Sequence, residues 1–240
     1  MGTDRNPIDY HYLSRRLLTE LRKYEEAVRP PRSWRLRLGL PWAGVEAGSA
    51  ERDPDNLQAL ARRSGQLVAD NTGDLEIPGR WFQGGIPLRL GILDTRQIWY
   101  GGEVAIFSGA SISTEDGQET RLVLVGSASN LVGYRTKQDV SGFYSSSFYG
   151  LYALLDAIRE PNDPKIMVDH QMENLQISPT DHAAAAADLA GRGLQLDLGT
   201  VEFLAQTMLE VDDVPLARGE QARVLIGAPL WVATPPPQPL

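Results

Sequence analysis

Leu13, Leu17, Leu21, Tyr24 and Val28 recur at helical spacing, with Ser14 near the start of the run and Pro30-Pro31 closing it. The pattern predicts an amphipathic first helix. Trp34, Leu36 and Leu38 then alternate with Arg35 and Arg37, as in a strand with one solvated side, and the stretch from Gly39 to Arg52 is rich in glycine and small residues, as in a loop. Asp53-Pro54 reads as a helix start, because aspartate caps free amides and proline belongs in a first turn. Leu57, Leu60, Ala61, Leu67 and Val68 form the stripe of that second helix, and Asn71-Thr72-Gly73 ends it.

The middle of the chain changes to period two. Ile86, Leu88, Leu90 and Ile92 alternate with Pro87, Arg89 and Gly91, Asp94-Thr95 turns the chain, and a second strand runs from Gln97 to Phe107. Asp116-Gly117 has hairpin-turn chemistry and precedes a third strand, Glu119 to Val125, so Trp81 to Val132 is expected to form an antiparallel meander. Ser146-Ser147 would cap a helix with Phe148, Leu151, Tyr152, Leu155 and Ile158 on its apolar face, and Lys165 to Met172 reads as a strand. Ser178-Pro179 opens an alanine-rich helix ended by Gly191 and Gly193, and Val201, Leu204, Ala205 and Met208 suggest another helix from Thr200 to Glu210. A last strand, Ala222 to Ala233, contains Pro229, which argues for an edge position or a bulge. Neither the opening nor the closing helices have a sheet of their own. The expectation is therefore one α+β domain over residues 1–234, an antiparallel β-meander sheet with helices packed on one face, followed by a disordered proline-rich tail at 235–240.

Composition narrows the class. With 42% hydrophobic and 22% charged residues among 240, the chain is long enough to bury about 70 to 75% of its extended surface, and wholesale disorder is excluded. The longest apolar runs, such as Ala183 to Ala187 and Leu122 to Val125, are too short to cross a bilayer, and the first residues lack the pattern of a secretory signal. No cysteine is present, which excludes disulfides and thiolate chemistry. A cytoplasmic protein without membrane contact is expected. The net charge of −8 is uneven: residues 1–80 carry 13 basic and 12 acidic side chains, and residues 81–240 carry 10 and 19. That balance disfavours nucleic acid as a partner while leaving Arg35 and Arg37 as candidates for a local anion contact.

Candidate chemistry is sparse. Two of the three histidines stand beside aspartates, at Asp169-His170 and Asp181-His182, while Asp9 lies two residues before His11. Neighbours on a strand point to opposite faces, so these pairs do not make a metal site, and no metal or cofactor is expected. Trp99-Tyr100-Gly101-Gly102-Glu103 interrupts a strand with two glycines and then sets one acid before Val104, Ala105 and Ile106. Such a kink re-aims side chains, which makes Glu103 the first acid-base candidate, with His11 and His170 as others, and Trp99 and Tyr100 candidate ligand contacts. Gly126-Ser127-Ala128-Ser129-Asn130 offers small hydroxyls and amides, so Ser127, Ser129 and Asn130 are candidate ligand contacts too. A turn stitched by side-chain-to-backbone bonds would explain that composition as well. None of the phosphate-loop, dinucleotide or nucleophile-elbow spacings occurs.

Three stretches carry a resemblance: Tyr12-Leu13-Ser14, the run from Val125 to Gly133, and Val201 to Ala205 together with Leu225 to Ala233. With its glycine-serine-alanine turn and a closing G-(T/A)-P-L-(Y/W)-V-A strand, the chain resembles an uncharacterised actinobacterial family of cytoplasmic proteins. The resemblance implies a single domain in a bacterial cytoplasm and assigns no catalytic residue. The expected function is a non-enzymatic binding or regulatory module that recognises a small molecule or a partner protein through a pocket between meander and helices. The alternative is a cofactor-independent lyase, cyclase or hydrolase of bacterial secondary metabolism, with Glu103 as general acid or base and Ser127, Ser129 or Asn130 orienting the substrate.

Overall fold

A computed structural model describes residues 8–28, 54–94, 103–112, 118–135, 179–193, 196–216 and 219–235. Near the start, the tyrosines and Leu13 form a short strand, β1 (Asp9–Leu13), that the periodicity does not announce. Ser14 Oγ then accepts a hydrogen bond from the Leu17 amide at 3.4 Å and caps α1 (Arg15–Val28), which buries Leu17 and Leu18. Leu13 thus belongs to the strand and not to the helix. As its stripe predicts, α2 (Pro54–Val68) buries Leu60, Ala61 and Val68, and a single 3-10 turn, Ala69–Asn71, leads into the two-residue β2 (Thr72–Gly73).

The remaining strands are β3 (Trp81–Asp94), β4 (Glu103–Ile112), β5 (Glu119–Ser127), β6 (Leu196–Pro215) and β7 (Gln221–Thr234), with α3 (Pro179–Gly193) ahead of β6. The antiparallel meander is there, since β3 pairs with β4 and β4 with β5 in sequence order. The sheet then does more than the pattern foretells. β5 runs parallel to β7, β7 antiparallel to β6, and β6 antiparallel to β3 from Trp81 to Leu90, so β3, β4, β5, β7 and β6 close into a barrel. A meander whose fourth strand returns by a long connection beside the first is a Greek key. β5 and β7 stay paired only as far as Leu124 and Gly227. Beyond that point β1 wedges between them, with Tyr12 opposite Val232 on one side and Leu131 on the other.

Alternation along the barrel strands sorts side chains into two environments. Phe82, Leu88, Phe107, Leu122, Leu124, Phe203 and Leu225 point inward and fill the barrel. Outside, α3 covers Val104, Ile106, Val123 and Val125 with Ala183 and Ala186, and α1 and α2 cover Leu204, Ala228 and Leu230. The α+β class and the placement of helices on one face hold, that face being the barrel's exterior.

Residues 200–210 correct the expected helix. They lie in β6, where Val201, Phe203 and Ala205 face inward while Leu204 packs beneath α1 and α2. A strand buried on both faces loses the polar alternation that marks strands, and its apolar residues fall by accident on helical spacing. Pro229 does stand next to a bulge, because Leu204 and Ala205 pair with Trp231 and Pro229 and skip Leu230, but β7 is central and not an edge. Proline is placed where the ladder is irregular, beside the bulge against β6 and between the end of the pairing with β5 at Gly227 and the start of the pairing with β1 at Trp231. The strand expected at Ser33 to Leu38, the helix capped by Ser146-Ser147, the strand from Lys165 to Met172 and the tail from residue 236 lie outside the described residues.

Candidate functional site

One end of the barrel gathers most of the polar candidates. β5 ends at Ser127 and a 3-10 turn, Ala128–Asn130, carries the chain to Leu131 and the bridge with Tyr12. Ser127 Oγ accepts the Ser129 amide at 3.3 Å and lies 2.8 Å from Ser129 Oγ, so the two exposed hydroxyls form one polar knuckle. Asn130 faces the other way, donating its side-chain N–H to the Tyr12 hydroxyl at 3.1 Å and accepting the Arg15 amide at the head of α1 at 3.5 Å.

Tyr12 explains the glycine of this motif. Its ring is buried in the barrel edge-on to Phe107, and its hydroxyl sits where a side chain on residue 126 would go: a Cβ there would lie 2.1 Å from the oxygen. Burial pushes the Tyr12 phenol up to about 12, against the opposing pull of the Asn130 hydrogen bond and the Arg16 charge. A neutral hydroxyl is thus sealed into the barrel's end by Gly126 and Asn130.

Glu103 begins β4 at the same end. Val104 pairs with Ser127, so Glu103 stands one step from the serine turn; it is half-buried and shares the inward side of β4 with Ala105 and Phe107. His11 is there too, half-buried, with Nε2 2.7 Å from Thr234 Oγ1 and its carbonyl accepting the Val132 amide at 2.9 Å. The structure therefore brings Glu103, His11, Ser127, Ser129 and Asn130 to one rim. Trp99 and Tyr100 lie outside the described residues, in the link between Asp94 and Glu103, which are ladder partners. His170, Arg35 and Arg37 are also outside the described residues. Among the described residues no three His, Asp or Glu side chains gather as metal ligands, and no helix is long and apolar enough to cross a membrane.

Sequence reasoning missed the apolar part of this rim. Ile92, Val132 and Leu196 are 41%, 52% and 54% exposed. Ile92 is a diagonal neighbour of Leu196, because Leu90 pairs with Leu196, and Val132 follows the bridge to Tyr12. Only the register of β6 on β3 reveals that Ile92 and Leu196 share an end.

The opposite end is sealed differently. Arg223, nine-tenths buried on β7, donates from Nη1 to the carbonyls of Leu75 and Glu76 at 3.1 and 2.6 Å, pairs through Nη2 with Glu210, and has Nε 3.5 Å from Asp212. Its guanidinium straps the turn after β2 to the hairpin of β6 and β7, and Leu75 from that turn plugs the barrel.

The strand order, the parallel pairing of β5 with β7 and the helix between β5 and β6 define a five-stranded Greek-key barrel of the OB type, here with an extra strand in its seam. The chain belongs to a family of unknown function (DUF7019), whose model matches residues 10–235. No curated protein and no solved structure matches it.

Proposed function

We propose that this protein is a non-enzymatic binding module, regulatory in role, that takes a small molecule with an apolar body and polar substituents at the rim carrying Ser127, Ser129 and Glu103. One observation carries the reading: of the four large hydrophobic side chains exposed among the described residues, Ile92, Val132 and Leu196 lie at the rim that also holds these polar groups. Apolar groups beside a few fixed donors and acceptors are the usual make-up of a ligand site. The contacts between barrel and helices are filled with apolar side chains, which favours the rim over a pocket between meander and helices. The net charge of −8, and α3 lying over the outer face of β4 and β5 through which OB barrels take oligonucleotides, support a ligand other than nucleic acid. A single domain over residues 1–234 and a cytoplasmic setting fit the long family match and the absence of cysteine.

The alternative, a cofactor-independent lyase, cyclase or hydrolase, draws on the half-buried Glu103 beside the serine turn. A thermal-shift and ligand-observed NMR screen of a metabolite library tests both. Binding should be lost in Ile92→Asp/Leu196→Asp and kept in Ile77→Asp at the far end. A hit that binds the rim variant as well as wild type would overturn the assignment, and so would a library without hits. Turnover of a hit that disappears in Glu103→Gln would decide for the enzyme.

A further inference from the structure

The fourth exposed hydrophobe, Ile77, is 79% exposed and sits at the opposite end of the barrel. A lone exposed isoleucine is ordinary; one presented on a turn whose backbone is fixed this firmly is not. Asp74 Oδ1 accepts the amides of Glu76 and Ile77 at 2.9 and 2.8 Å, Arg223 holds the carbonyls on the residues just before Ile77, and Leu75 is buried in the barrel. Just after Ile77, Thr207 binds the Gly79 carbonyl at 2.6 Å and the Arg80 carbonyl at 3.0 Å. Gly73 lets the chain before the turn approach it closely, since a Cβ there would stand 1.8 Å from the Ile77 carbonyl oxygen. Asp74, Glu76 and Asp212 are exposed around this turn, Arg223 is committed to Glu210 and Asp212, and Arg80 is the exposed cation on the turn itself.

We propose that Ile77 with Pro78 is a docking knob for a protein partner that presents an apolar pocket rimmed by lysine or arginine. A turn whose backbone is already held in place gives up little further backbone entropy when its exposed side chain is bound, and its acidic collar selects a basic rim. The inference is independent of the ligand reading at the other rim. Its test places a photo-crosslinking p-benzoylphenylalanine at position 77, with the same group at position 92 as control, in cells that express the native protein. The expected result is an adduct with one protein from position 77 and not from 92, through a peptide containing lysine or arginine. That protein, purified, should bind the wild type in a salt-sensitive way and bind Ile77→Asp and Glu76→Lys about tenfold or more weakly. Ile77→Asp should melt with the wild type, so lost binding would not reflect lost folding. No adduct, an adduct with a second copy of this chain, or a purified partner that binds Ile77→Asp as well as wild type would overturn the proposal.

Discussion

Both ends of the barrel are closed by one buried polar side chain, and the two differ in charge. At the rim, Tyr12 is neutral and its hydroxyl is satisfied chiefly by Asn130, which leaves Ser127, Ser129 and the apolar Ile92 and Leu196 turned to solvent. At the far end, Arg223 is charged, and desolvating it requires two carbonyls and two carboxylates. A neutral seal uses few of its neighbours, whereas an ionic one draws the polar groups around it into the fold. The exposed serine hydroxyls, bonded to each other and to their own turn, lie at the tyrosine end.

The contrast makes graded claims. Arg223→Met should be the most damaging change, costing about 3 kcal/mol or more in urea unfolding, because Glu210 and two carbonyls lose their donor together. A cost below about 1 kcal/mol would mean that the ionic seal is ornamental. Alkaline pH should act next, and through the other end. Tyr12 is raised by burial from 10.0 to about 12, so stability is unaffected below pH 10 and falls between pH 10 and 12, where the unfolded phenol ionises and the folded one does not. The loss totals about 2 to 3 kcal/mol, and the Tyr12→Phe variant should lack it when unfolding midpoints are followed against pH.

Gly126→Ala should cost about 1 to 3 kcal/mol by driving a methyl into the Tyr12 hydroxyl, and less in a Tyr12→Phe background, where that oxygen is gone. Equal costs in both backgrounds would show that the glycine serves something other than the tyrosine. The smallest effect belongs to Ser127→Ala/Ser129→Ala. Both hydroxyls are exposed, so stability should change by less than about 0.5 kcal/mol while ligand binding at the rim is lost.

β3 and α2 were legible because each has one wet face, which prints a period on the sequence; β4 and β5, buried on both faces, were legible through the Asp116-Gly117 turn signal between them, and α3 through Ser178-Pro179 at its start. β6 was not, since Leu204 and Phe203 are buried on opposite sides of it and no period survives. Barrel closure was hidden for a related reason: it depends on β6 choosing β3 and β7 as partners, a long-range pairing that no local pattern records. At the rim, Glu103 and the serine turn could be singled out by residue type. Their proximity came only from the pairing of Val104 with Ser127, and Tyr12 became meaningful only when its hydroxyl was found over Gly126. Arg223 left no local signal, because its partners at Leu75 and Glu76 lie about 150 residues away and are backbone carbonyls.

The seam filled by β1 also sets a timetable. His11 meets Thr234 across 223 residues of chain, and Tyr10 pairs with Ala233. On a ribosome adding about 5 to 20 residues per second, β1 is made on the order of ten to forty seconds before its partner strand exists. During that interval Tyr10, Tyr12 and the apolar stripes of α1 and α2 have no barrel to bury them. The open seam is thus the interval in which the nascent chain is most exposed to misassociation, and the last strand synthesised is the one that ends it.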